Sequence, residues 1–149
     1  MTGTEKKLLI ACESGDADAV AFLLENGVAV DVRNEFGFTP LHFACKHDHV
    51  AIFRLLLSHG ADPNARDSEK WTALHWACRL GRTAAVMALL EAGADVNVRD
   101  GMGHTPLDVV MERVTGDTRE KILDLFRQYA AEAVMEAYCA AGPGGSNIG

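Results

Sequence analysis

A period of 33 residues constrains the fold of this chain more than any other feature of its sequence. Thr39, Thr72 and Thr105 are spaced by this interval, and five further columns of identical residues keep the same register. These columns are Leu8, Leu41, Leu74 and Leu107; Ala11, Ala44 and Ala77; Cys12, Cys45 and Cys78; Gly27, Gly60 and Gly93; and Arg33, Arg66 and Arg99. Such agreement predicts a stack of similar units, each of which buries its apolar face against the next.

Each unit contains the signals of two short helices. Thr39 suits a helix N-cap because its oxygen can accept a backbone N–H of the first turn, and Pro40 fits the first helical position. A second helix is predicted over residues 50–57, and Gly60 supplies its left-handed end. A polar segment then leads into the following unit. The sequence therefore predicts an all-α solenoid of helix-turn-helix units joined by short hairpin loops.

The motif that opens each unit, Thr-Pro-Leu-His-x-Ala, and the later Gly-Ala-Asp-x-Asn resemble the ankyrin repeat. Residues 39–44 match the opening motif in full, residues 72–77 depart from it once, and residues 105–110 depart twice. The resemblance implies that the histidine ties the threonine hydroxyl to the local backbone. The motif residues are Thr39, Pro40, Leu41, His42, Thr72, Leu74, His75, Thr105, Pro106 and Leu107.

The period divides the chain into an ankyrin-repeat domain and two terminal segments. We expect a tail at 1–4, repeats at about 5–37, 38–70, 71–103 and 104–129, a helical extension at 130–141 and a flexible tail at 142–149. The fourth unit needs four additional residues, which we place at 114–121 between its two helices. The extension either caps the stack or contacts a partner or a second copy of an otherwise monomeric chain.

Charge and cysteine spacing limit the classes of partner and compartment. The 149 residues carry a formal net charge of −7 without a basic cluster, which argues against a nucleic-acid partner. The apolar runs are too short to cross a membrane. Equivalent cysteines on stacked helices lie too far apart for disulfides, so we expect reduced thiols and a cytoplasmic or nuclear location.

The sequence contains few candidate catalytic or metal-binding residues. Cys45, His47 and His49 do not share one helix face and are too few for a zinc site, and no nucleophile elbow or phosphate-binding loop occurs. We therefore expect no catalytic residues, metal or cofactor. Asn64 and Asn97 are interpreted as turn residues that bond their own backbone. The alternative implied by the resemblance is that they are targets of an asparaginyl hydroxylase.

The family resemblance implies a concave side built from hairpin tips and the exposed faces of the first helices. Phe36, Phe38, Trp71 and Met102 occupy tip positions, where a polar residue is usual, and we expect them to form a row. Exposed aromatic rows mark interaction sites, and aromatic anchors dominate binding energy. The alternative is that each ring packs over the neighbouring tip and stiffens it.

The sequence therefore predicts a non-catalytic adaptor or scaffold that binds a partner protein on the concave surface. The alternative is a stoichiometric inhibitor or regulatory subunit of an enzyme such as a kinase, and an enzyme or metal-binding protein is a remote third. A partner segment with acidic and apolar residues would suit the cations of this surface. The predicted partner-binding residues are Glu35, Phe36, Phe38, Lys46, His47, Ser68, Glu69, Trp71, Arg79, Leu80, Met102, His104, Glu112 and Arg113.

Overall fold

A computed structural model describes residues 1–130 of the chain, and all the regular secondary structure in that part is α-helical. This confirms the predicted helical repeat solenoid. The predicted extension beyond residue 130 and the predicted tail at 142–149 lie outside the described residues. The helices are α1 (Gly3–Ser14), α2 (Ala17–Glu25), α3 (Pro40–Lys46), α4 (Val50–Ser58), α5 (Ala73–Leu80), α6 (Thr83–Glu91), α7 (Pro106–Arg113) and α8 (Gly116–Tyr129).

Threonine and histidine side chains together fix the start of α3 and α5. Thr39 Oγ1 accepts the backbone N–H of His42 at 3.3 Å, and His42 Nδ1 in turn accepts the backbone N–H of Thr39 at 3.2 Å. Thr72 and His75 repeat both bonds at the start of α5. This is a capping box in which histidine replaces the usual glutamate, and it satisfies two backbone donors that the first helical turn would leave free.

The first helix starts earlier than the sequence analysis placed it. Residues 1–4 were expected to form a tail, but Thr2 caps a helix that begins at Gly3. Thr2 Oγ1 accepts the N–H of Glu5 at 3.2 Å, and the Glu5 carboxylate accepts the N–H of Thr2 at 3.3 Å. The cap lies outside the 33-residue register because α1 starts about one helical turn before the position equivalent to the start of α3.

The four additional residues of the fourth unit also form a helical turn. We predicted that they would separate the two helices, but α7 ends at Arg113 and α8 begins at Gly116. The insertion therefore extends α8 to 14 residues, compared with 9 in α4. A turn of helix accommodates about 3.6 residues, so four residues fit without disturbing the buried face of the helix.

The helices form two layers around one core. The first helices α1, α3, α5 and α7 pack in succession in one layer, and the second helices α2, α4, α6 and α8 form the other. The column Leu8, Leu41, Leu74 and Leu107 lies between units with side chains at most 2% exposed. Cys12, Cys45 and Cys78 are buried free thiols in the same core, and burial raises the pKa of Cys12 to about 12.

Hydrogen bonds that cross from one repeat to the next add to this apolar contact. His42 Nε2 lies 3.0 Å from the carbonyl oxygen of Trp71, and His75 Nε2 lies 2.9 Å from that of His104. Because Nδ1 of each ring accepts a hydrogen bond from its threonine, the proton lies on Nε2, which donates to the carbonyl. Burial lowers the pKa of both histidines, which favours this neutral form.

Candidate functional site

The three hairpin tips share one local design. The N–H of the first tip residue donates to the carbonyl oxygen of the fifth at 3.1, 2.8 and 2.9 Å in residues 34–38, 67–71 and 100–104. The side-chain oxygen of the first residue also accepts the N–H groups of the third and fifth residues. Burial would raise the pKa of Asp100, but these donors from His104 and Met102 hold it below its ordinary value.

Neighbouring tips are joined by backbone hydrogen bonds, so they lie side by side. The N–H of Ser68 donates to the carbonyl oxygen of Phe36 at 3.0 Å, and the N–H of Gly101 donates to the backbone carbonyl oxygen of Glu69 at 3.2 Å. The tips and the exposed sides of α3, α5 and α7 form one continuous surface, which we call the tip face. It corresponds to the surface that the sequence analysis expected to be concave.

The apolar tip residues occupy two columns on this face, whereas the sequence analysis expected one row. The outer column holds Phe36, Glu69 and Met102 at the apex of successive tips, and Phe36 and Met102 are 57% and 82% exposed. Phe38 and Trp71 close their hairpins and are half-buried against the first helices. The difference arises because residues 36 and 38 flank Gly37, whose positive φ of 77° turns the chain between them.

Four rings pack together on the tip face and form what we call the aromatic cluster: Phe38, Phe43, Trp71 and Trp76. The ring centroids of Trp71 and Trp76 are 4.9 Å apart, and Phe38 lies 5.4 Å from Phe43 and 5.8 Å from Trp76. All four side chains are half-buried, so each keeps part of its surface open to solvent. Phe43 and Trp76 were not among the predicted site residues.

Two of the predicted cations cover this cluster. Lys46 Nζ lies 4.8 Å from the centroid of the Trp76 ring, and the guanidinium carbon of Arg79 lies 5.7 Å from that of Trp71. Both distances are within the range of cation–π attraction. Lys46 and Arg79 occupy equivalent positions in successive repeats, so the cluster is bordered by one positive charge from α3 and one from α5.

The orientation of Trp76 is fixed by a buried carboxylate. Asp67 Oδ1 accepts the N–H groups of Glu69 and Trp71, while Oδ2 accepts the indole Nε1–H of Trp76 at 3.0 Å. Asp67 is 7% exposed, so water competes little for these bonds. One side chain thus joins the second hairpin tip to the helix that carries Trp76.

A groove of about 420 Å³ continues from the cluster towards the fourth repeat. Its lining includes Trp71, Arg79, Met102, Val109 and Arg113. The groove is also lined by Glu69, Asp100, Gly101 and His104. Six of the predicted partner-binding residues therefore meet here: Glu69, Trp71, Arg79, Met102, His104 and Arg113.

The other predicted residues lie around the cluster and the groove. Glu112 Oε1 lies 3.5 Å from His104 Nε2. The exposed His47 ring stacks on His49 with a centroid separation of 6.0 Å. Leu80 is 40% exposed at the end of α5. Glu35 and Ser68 are exposed tip residues beside the outer column.

The two asparagines proposed as turn residues do not bond their own backbone in the way we expected. Asp62 and Asp95 accept the N–H groups of Asn64 and Asn97 at 2.8 and 2.9 Å and thus organise these turns. The side-chain oxygen of Asn64 instead accepts the N–H of Asp95 in the next repeat at 2.7 Å. Hydroxylation of Asn64 or Asn97 stays a prediction.

Among residues 1–130, no three His, Cys, Asp or Glu side chains are grouped so that they could hold a metal ion. The helices described there are also too short or too polar for any of them to cross a membrane.

Comparison with known proteins identifies the family. A family model described as ankyrin repeats (3 copies) matches residues 8–112. The chain belongs to the ankyrin-repeat family. Over 42 residues, 28% of this chain, it is 48% identical to a putative ankyrin repeat protein of Rickettsia bellii, of which the match covers 18%. Over 46 residues, 31% of the chain, it is 41% identical to the eye-specific diacylglycerol kinase of Drosophila melanogaster, of which 3% is covered.

The chain thus spans less than a fifth of the length of either of these relatives. Ankyrin repeats are generally protein–protein interaction modules and are typically not enzymes.

Proposed function

We propose that this ankyrin-repeat chain is a non-catalytic adaptor or scaffold that binds a partner protein on its tip face. The observation that supports the proposal is the aromatic cluster, in which two tryptophans remain partly exposed beneath Lys46 and Arg79. Tryptophan and arginine are the residues most enriched among those that dominate binding energy at protein interfaces.

The side chains of the tip face are also held in place before any partner binds. The Trp76 ring is held by Asp67, and each tip is closed by its own backbone and side-chain hydrogen bonds. A surface whose side chains are already ordered loses less conformational entropy when a partner binds. A rigid face with half-exposed rings is therefore suited to recognition.

A second apolar surface supports an adaptor over an inhibitor that uses one face. Ile10 and Phe22 are 63% and 64% exposed, and they line a groove of about 440 Å³ formed by α1, α2 and Asp16 between them. Their equivalents one repeat later, Phe43 and Leu55, pack against the core. We propose that this end of the stack and the tip face bind different proteins, in a reducing compartment such as the cytosol or nucleus.

The Trp71→Ala variant tests the proposal. Its backbone bonds to His42 and Asp67 remain possible, so the variant is expected to fold, while partner affinity falls by about 2 kcal/mol, or roughly 30-fold. Proteins captured from lysate by the wild-type chain would be purified and titrated calorimetrically against wild type, Trp71→Ala and the matched control Phe22→Ala. A captured protein that is weakened only by Phe22→Ala binds the groove at α1 and α2. The tip face is not a binding site if no captured protein binds folded Trp71→Ala more weakly than wild type.

A further inference from the structure

We infer that the tip face recognises an extended acidic segment, with carboxylates three residues apart and an apolar side chain between them. This inference rests on the proposed function, since it specifies the partner of the same surface. It is supported by the cations of the face, their spacing and the aromatic cluster between them.

Two cations border the aromatic cluster on the tip face of this acidic chain. Although the net charge is −7, Lys46, Arg79 and Arg113 lie on this face in three successive repeats. Within residues 1–130, none of the three forms an ion pair with a carboxylate at 4.0 Å or less. Their charges are therefore available to the carboxylates of a partner.

The acidic groups of the same face lie at the hairpin tips and on α7. Asp67 and Asp100 accept two backbone N–H groups each, and Glu112 lies 3.5 Å from His104. Glu69 lines the groove as an exposed carboxylate and offsets one of the three cations. The attraction for a negatively charged segment therefore comes from Lys46 and Arg79 beside the aromatic cluster.

The distance between the cations determines which backbone conformation of the segment can reach them. Neighbouring helices pack about 8–10 Å apart, so the cations of successive repeats are separated by a similar distance. An extended chain advances about 3.3 Å per residue and thus covers about 10 Å in three residues. Carboxylates at positions i and i+3 of one strand-like segment would then meet Lys46 and Arg79 in order, whereas the equivalent position of the fourth repeat carries Glu112.

The aromatic cluster supplies the apolar contact between these charges. Lys46 and Arg79 both lie within 6 Å of the Trp76 ring, at 4.8 and 5.9 Å. A guanidinium that stacks on a ring still presents its N–H edge, which can bind a carboxylate in bidentate fashion. An apolar side chain between two carboxylates would contact the exposed part of Trp71 and Trp76.

A selection experiment tests the inference before any natural partner has been identified. A displayed library of random 12-residue peptides would be selected on the full chain, with Trp71→Ala as the counter-target. The expected result is enrichment of peptides that carry Asp or Glu at i and i+3 around an aliphatic or aromatic residue. Tryptophan-free synthetic copies would then be titrated by intrinsic fluorescence, because both tryptophans of the sequence belong to the cluster.

Matched variants measure how much of the peptide's affinity comes from charge. Arg79→Gln should weaken the acidic peptide about tenfold at low salt, and replacing the peptide's carboxylates with amides should have a similar effect. Arg54→Gln, which removes an exposed cation on α4, should change the affinity less than twofold. The effect of Arg79→Gln should diminish as salt screens the charges.

Three results would overturn the inference. Enrichment of neutral or basic peptides that depend on Trp71 would refute the acidic segment but leave the tip face as a binding site. If the chain bound a 12-nucleotide oligothymidine tightly and no acidic peptide was enriched, the cations would be binding phosphate groups and not carboxylates. The absence of any Trp71-dependent peptide would refute an extended occupant, while the calorimetric test above decides the proposed function independently.

Discussion

Asp67 joins the second hairpin tip to α5, and the Asp67→Asn substitution tests how much that connection contributes to stability. An asparagine at this position can still accept the N–H groups of Glu69 and Trp71, as Asn34 does for the equivalent groups in the first tip. Its amide NH₂ would face the indole N–H of Trp76, so the 3.0 Å bond would be lost. A hydrogen bond to a charged group contributes about 1.5–3 kcal/mol, and we therefore expect a loss of about 2 kcal/mol.

Asp67→Ala removes all three bonds and should cost about 4 kcal/mol, since each additional backbone bond contributes about 1 kcal/mol. Urea unfolding followed by circular dichroism would measure both losses without relying on the tryptophans. In a Trp76→Phe background, where no indole N–H exists, Asp67→Asn should cost less than 1 kcal/mol. Equal losses for Asn and Ala, or an unchanged cost in the Trp76→Phe background, would refute this account of Asp67.

Three further predictions concern packing, backbone geometry and pH. Leu74→Ala should cost about 2–5 kcal/mol in urea unfolding through a cavity between repeats, and a loss below 1 kcal/mol would contradict its buried position. Gly37→Ala should destabilise more than Gly27→Ala: both glycines have positive φ, but only at Gly37 would the new Cβ meet another backbone, 2.9 Å from Ser68 N. Burial lowers the pKa of His42 and His75, so the unfolded chain binds more protons, and stability should be level above about pH 6.5 and fall below it. Urea midpoints that rise between pH 7 and pH 5 would refute this sign.

The repeat architecture was predictable because its signals are local and recur. The period places Leu74 and its equivalents on the buried face, and the cap at Thr72 depends on residues three positions apart. The extra turns in the first and last units were not predictable in this way. They add whole helical turns at helix starts, where the buried pattern of the helix is preserved and the register with other units is lost.

The aromatic cluster was only partly predictable, because its contacts depend on how neighbouring repeats meet. Phe43 and Trp76 occupy the variable position of the Thr-Pro-Leu-His-x-Ala motif, and two large rings at that position were the available signal. The bond from Trp76 to Asp67 spans nine positions and crosses from tip to helix. Neither helical periodicity nor the repeat period contains that information.

The cross-repeat bonds connect the stability of the stack to the geometry of the binding face. His42 donates to the carbonyl oxygen of Trp71, and the residue that carries this carbonyl also contributes a ring to the aromatic cluster. A change that separates the second and third repeats would therefore displace Trp71 from the position in which it meets Arg79. Protonation of His42 is not such a change, because the imidazolium keeps the Nε2–H that donates to Trp71 and loses only the Nδ1 acceptor of the Thr39 N–H. Acidification should consequently lower stability, while the folded chain keeps its affinity for a partner that has no group titrating in that range.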